Sequence, residues 1–227
     1  ARSVVDRMGP TDLMSVVFTR DNRNSQDFTA DRARLLKAVD SFTVGFRGMG
    51  GPGGMDDLWY IYSVGVLERA VDFLSDVPDR RKAIIYVGQG LPFDLSTAVT
   101  PVFADKNVAA GATSAQALQL RIKDQMTDMF ERAKRANVNV YTVDACGLRV
   151  PPPPPTCQPG LEVDYLINVA AATGGRPVVN SNDFEPGLTA VFQENASYYL
   201  IGYQPIDGSR DGKFRRLEVK VNRPDVE

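Results

Sequence analysis

RRKAIIYVGQG, residues 80–90, decides how the rest of the chain is read. Three cations lead into four strand-forming residues, Ile84 to Val87, and the run halts at Gly88-Gln89-Gly90. An apolar run without alternation marks a strand covered on both faces, as in a parallel sheet. In an open sheet of that kind, ligands sit just past the carboxyl ends of the strands. Gln89, a neutral amide between two glycines, therefore stands at a candidate site.

The same signal recurs on either side. VNVYTV (138–143) is a second buried strand, ending at Asp144, and RPVVN (176–180) is a shorter one. LMSVVFT (13–19) is another continuous apolar run, expected to be covered on both faces, and DFT (27–29) suits a short edge strand. Helices fall between them. Val4, Val5 and Met8 keep helical spacing up to a Gly9-Pro10 stop, so the chain opens in the last turns of a helix. Thr29 or Asp31 can cap the helix DRARLLKAVDSF (31–42). Asp56 and Asp57 open a long helix whose apolar stripe is Tyr60, Val64, Leu67, Val71 and Leu74. The segment 115–136 carries Leu118, Ile122, Met126, Met129 and Ala133 on one face. EVDYLINVAAATGG (162–175) closes on glycine, and DFEPGLTAVFQENA (183–196) has Asp183 as cap and Pro186 in its first turn.

Strands alternating with helices mean an α/β fold, a doubly wound and mostly parallel sheet flanked by helices. The end of the chain differs. SYYLIGYQP and FRRLEVKVNRP, joined by two Asp-Gly turns, predict an antiparallel hairpin with Leu217, Val219 and Val221 on one face. The expected organisation is an α/β domain over 1–196 with a β-hairpin extension over 197–227.

Composition removes whole function classes. The chain has no histidine, which excludes Ser-His-Asp and Cys-His catalysis and His-ligated zinc. A net charge of −2 over 227 residues offers no electrostatic case for nucleic acid or an anionic membrane. No apolar run reaches the roughly 18–20 residues of a membrane span. The two cysteines, Cys146 and Cys157, bracket GLRVPPPPPT, a spacing wrong for a redox or zinc CxxC pair. A disulfide closing this proline-rich loop, with an oxidising compartment, is the natural reading; two buried free thiols are the alternative.

With the elements placed, the chain resembles the von Willebrand factor A domain, and more closely the A-related family best known from Acidobacteria. The residues that carry the resemblance are MGPTDLMSVVFT (8–19), DFTADRARLLKAV (27–39), RRKAIIYVGQGLPFD (80–94), RANVNVYTVDACGL (135–148), AAATGGRPVVNSNDF (170–184), ENASYYLIGYQP (194–205) and DGKFRRLEVKVNRP (211–224). The resemblance implies export, to a bacterial-type periplasm or beyond, and a role in binding protein partners without catalysis.

It also implies a metal-ion-dependent adhesion site. There an Asp-x-Ser-x-Ser stretch after the first strand, a threonine before the long helix and an aspartate after the fourth strand hold Mg²⁺ or Mn²⁺, a set of oxygen ligands suited to such ions. This chain departs at each point. Ala1 matches a position inside the helix that follows the first strand, so that strand and its Asp-x-Ser-x-Ser are missing. Gly54 or Met55, followed by Asp56, stands in the threonine's place, and Gln89 in the aspartate's.

The expected function is a non-enzymatic binding or scaffold module with a degenerate metal site, a subunit or fragment of a larger exported protein or assembly, with no cofactor. The rim residues are Gly54, Met55, Asp56, Gln89, Asp94 and Asp144. One alternative is a cation-dependent adhesion module whose Asp-x-Ser-x-Ser lies upstream of residue 1; another is a carboxylate-based enzyme using Asp94 and Asp144. The absent strand would leave its neighbours without backbone partners, so a strand donated by an upstream segment or another chain is expected. GMGGPG (48–53) fits GxGxxG, but Asp56 and Asp57 would repel phosphates at the helix start and Pro52 removes an amide donor.

Overall fold

The computed structural model describes residues 1–19, 22–43, 55–78, 80–92, 114–148, 157 and 160–196, with the backbone alone for 55–59, 114–118 and 161. Residues 1–196 form one compact unit. The hairpin expected over 197–227 lies outside the described residues, as do Gly54 and Asp94 and the side chains of Met55 and Asp56.

In chain order the elements are α1 (Arg2–Asp6), β1 (Met14–Val16), β2 (Gln26–Thr29), α2 (Arg32–Asp40), α3 (Met55–Ser75), β3 (Lys82–Gly88), α4 (Ser114–Ala136), β4 (Val138–Asp144), α5 (Leu161–Thr173), β5 (Pro177–Val178) and α6 (Glu185–Ala196). β3, β4 and β5 form a parallel sheet in that order, with Lys82 opposite Val138 and Gly88 opposite Asp144. β1 and β2 form a separate antiparallel pair.

The parallel sheet is covered on both faces, which is why its strands carry apolar residues without alternation. On one face Ile84, Tyr86, Val138 and Val140 meet the stripes of α3 (Val64, Leu67, Val71), α4 (Ile122, Met126, Met129, Ala133) and α5 (Leu166, Val169). Each of these large aliphatic side chains, removed from water, contributes about 1.5–3 kcal/mol. On the other face Ile85, Val143 and Val178 meet Val4 of α1 and Leu188 and Phe192 of α6. The helices are tied laterally by polar links. Glu68 of α3 accepts from Gln125 and from Arg132 Nη2 (2.6 Å) of α4, and Arg132 also pairs with Asp72 (2.8 Å).

Local signals act as the sequence predicts. Asp31 caps α2, accepting from the N–H groups of Ala33 and Arg34 at 2.9 and 3.2 Å. Asp183 Oδ1 accepts the Glu185 N–H at 3.1 Å, at the head of α6. Gly174 takes the left-handed conformation that ends α5.

The burial of two strands departs from the sequence reading. β4 is buried along its length except for Asn139, as VNVYTV predicts. No residue of β3 is fully buried, and Val87 is 49% exposed. LMSVVFT becomes a strand of only three half-buried residues, flanked by Leu13 at 52% and Val17 at 51% exposure. The reason is topological. Both strands have an edge with no strand beside it among the described residues, and apolar composition cannot supply a neighbour.

Candidate functional site

The carboxyl ends of β3, β4 and β5 converge on one rim, and backbone bonding fixes the loops that leave it. Across the end of the ladder the Ala145 N–H donates to Gly88 O at 3.0 Å. Gly90 then turns back at φ +83°, and a Cβ there would stand 1.9 Å from Glu162 O. Only glycine fits against this first turn of α5, so the second glycine of Gly-Gln-Gly is a packing requirement. Gln89, half-buried, is presented between β3 and that turn.

Asp144 is the last residue of β4 and is fully buried. Its Oδ1 accepts the Cys146 N–H at 3.0 Å, and the Gly147 N–H donates to its backbone oxygen at 3.2 Å. The carboxylate thus organises the turn that follows its own strand. Cys146 and Cys157 form a disulfide, with Cα atoms 5.8 Å apart. Leu148, two residues after Cys146, donates its N–H to Asn182 Oδ1 at 2.8 Å, which joins the β4 turn to the loop between β5 and α6. Glu162, in the first turn of α5, is also buried.

On the α1–α6 side of the rim lies an open cavity of about 400 Å³. Its walls include Val87, Val143, Phe184 and Leu188, with Ser3 and Asn182 as polar groups. Glu185 also lines it, but its carboxylate is engaged. Oε1 accepts from Ser3 Oγ at 2.6 Å and Oε2 pairs with Arg7. The Ser3 hydrogen bond, reinforced by Arg7, holds the Glu185 carboxyl below its ordinary range. These contacts dock α1 on α6 across the cavity.

Of the residues the sequence singles out, Gln89 and Asp144 come to one rim, on adjacent strands whose ends Gly88 and Asp144 pair in register. Gly54, Asp94 and the side chains of Met55 and Asp56 lie outside the described residues. Sequence reasoning misses Ser3, Asn182 and Glu185, because each acts across more than 30 residues of chain and none stands in a local motif. The Pro186 and Asp183 signals around Glu185 announce only a helix start.

Of the six rim residues the sequence proposes, two have described side chains: Gln89 places a neutral amide where a cation site wants a carboxylate, and Asp144 is buried with Oδ1 accepting a backbone N–H. Among the described residues, no three Asp, Glu or Cys side chains gather in a group that would hold a metal. No described helix is long and apolar enough to cross a membrane. Comparison with protein-family models, with curated proteins and with solved structures returns no match.

Proposed function

We propose that the chain is a non-enzymatic protein-binding or scaffold module of von Willebrand factor A type, exported, whose adhesion-type cation site has lost its chemistry. One observation carries the reading. Asp144 spends a fully buried carboxylate on the Cys146 N–H, and its neighbour at the end of β3 is the amide Gln89. An amide oxygen carries no charge and is a poor ligand for an ion that selects carboxylates. The α/β sheet with helices on both faces supports the fold half of the proposal. The Cys146–Cys157 bridge supports export, since disulfides persist in oxidising compartments. With no histidine in the chain, Ser-His-Asp and Cys-His catalysis and His-ligated zinc are excluded.

Calorimetric titration of residues 1–227 with Mg²⁺ and with Mn²⁺ tests this. The expected result is no saturable heat with either ion. One-to-one binding of either would overturn the degenerate site and favour cation-dependent adhesion.

A further inference from the structure

The Cys146–Cys157 bridge touches more than the turn it closes. These are the only cysteines in the chain, so a reduced pair has no other internal partner and reoxidation restores the same bridge. Asp144 and Gly147 are buried, whereas Cys146 and Cys157 are half-buried, and Ala145 and Leu148 of the same turn are exposed. A thiolate must reach a sulfur atom to cut a bridge, so one within reach of solvent is cut more readily than a buried one.

The turn that carries Cys146 is held from two sides. On its own side the Cys146 N–H donates to Asp144 Oδ1 at 3.0 Å and the Gly147 N–H to Asp144 O at 3.2 Å. On the other side Leu148 donates its N–H to Asn182 Oδ1 at 2.8 Å. Gly147, at φ +64°, lies so near that oxygen that a Cβ would stand 2.3 Å from it. The loop of Asn182 is braced independently, since Ser181 Oγ donates to Asp183 O at 2.7 Å and accepts the Asp183 N–H at 3.1 Å. Asn182 also lines the cavity beside Glu185. Leu148 is exposed, so water competes for its N–H, and the link to Asn182 lasts only while Leu148 is kept in place. The bridge, closing a loop with a sequence separation of 11, supplies that constraint.

We infer that the bridge is a redox-sensitive clamp on the rim. Oxidised, it holds the β4 turn against the Asn182 loop; cut by a dithiol, it lets Leu148 part from Asn182 while the sheet stays folded. This goes beyond the binding-module reading and does not depend on it. One thiolate of the dithiol attacks a bridge sulfur, the Cys146–Cys157 S–S bond breaks, and the released thiolate takes a proton. The second thiol then attacks the mixed disulfide, frees the other cysteine and leaves the reagent as its own disulfide, so two electrons and two protons pass to the chain. The strand beneath has supports that reduction leaves alone. Val140 donates its N–H to Thr173 Oγ1 at 3.1 Å, and Thr142 donates to Arg176 O at 3.3 Å.

The test is reduction of the full chain by dithiothreitol without denaturant, with amide exchange read by NMR before and after. Sub-denaturing urea should leave the reduction rate unchanged, because the thiol attacks the folded chain; a route through global unfolding would accelerate. The Leu148 amide should then exchange about tenfold faster or more, as the opened turn regains chain entropy. The Val140 and Thr142 amides should keep their protection. The double variant Cys146→Ser, Cys157→Ser should match the reduced protein at Leu148 and ignore dithiothreitol. Reduction that accelerates with urea, or a Leu148 amide equally protected in the bridged, reduced and double-serine proteins, overturns the inference. Lost protection at Val140 and Thr142 on reduction overturns it too, since the bridge would then be a prop of the whole sheet.

Discussion

The Cys146–Cys157 bridge gives a prediction whose size follows from the chain itself. The perturbation is the double variant Cys146→Ser, Cys157→Ser. The bridge closes a loop with a sequence separation of 11. In the chain-entropy account such a loop removes about 9 cal/mol/K from the unfolded ensemble, about 3 kcal/mol at 25 °C. The five prolines at 151–155 have already taken freedom from that loop, so the loss on cutting it should fall to about 2–3 kcal/mol. The native turn has its own supports, the Asp144–Cys146 and Leu148–Asn182 hydrogen bonds. The variant should therefore keep the native fold and lose stability through the unfolded state. Urea denaturation followed by far-UV circular dichroism measures it. With a slope of about 1–3 kcal/mol per molar urea, the midpoint should fall by about 0.7–3 M. The slope should rise slightly as the freed unfolded chain expands. Coincident midpoints for the bridged and double-serine proteins would refute the reasoning, and so would a variant that loses its near-UV spectrum before any urea is added.

Three further outcomes are expected. Gly90→Ala should cost about 2–5 kcal/mol in urea denaturation, from left-handed strain plus the clash with Glu162 O, whereas Gly160→Ala, also at positive φ but with open space around it, should lose only about 1–3 kcal/mol of strain. Tyr165→Phe should leave stability unchanged or raise it by up to about 1 kcal/mol, because the buried hydroxyl has no hydrogen-bond partner among the described residues; a clear loss would mean that it has one. Glu185 has a folded-state pKa below its ordinary 4.5, so its contribution is present above that value and is lost as pH falls through the lower folded value. Wild type and Glu185→Gln should then differ in stability near neutral pH and converge in acid, as read by thermal melts from pH 7 downward.

Helices and caps were legible in the sequence because their causes are local. The Val64, Leu67 and Val71 stripe repeats every turn, Asp31 sits two and three residues from the N–H groups it accepts, and Gly174 is needed where α5 must turn left-handed. β4 was legible too, since a strand inside a sheet is apolar on both faces. β1 and β3 carry the same apolar signature and are only half covered. Their burial depends on a neighbouring strand, which neither LMSVVFT nor IIYV encodes. The rim was legible in outline. Gln89 and Asp144 stand at the strand ends where the sequence places them, yet the use of Asp144 on the Cys146 N–H depends on a turn geometry that no spacing rule gives. Ser3 and Glu185, far apart in sequence, meet only because α1 docks on α6.

Amide hydrogen exchange of the free chain tests most directly that, among the described residues, β3 is held by β4 on one side alone. The amides of Ile84 and Tyr86, turned into the β4 ladder, should be protected with the core. Those of Ala83, Ile85 and Val87 should exchange at least about 100-fold faster, as groups that need no global opening. Equal protection along all of β3 would mean that the edge is already filled, and it would contradict the account.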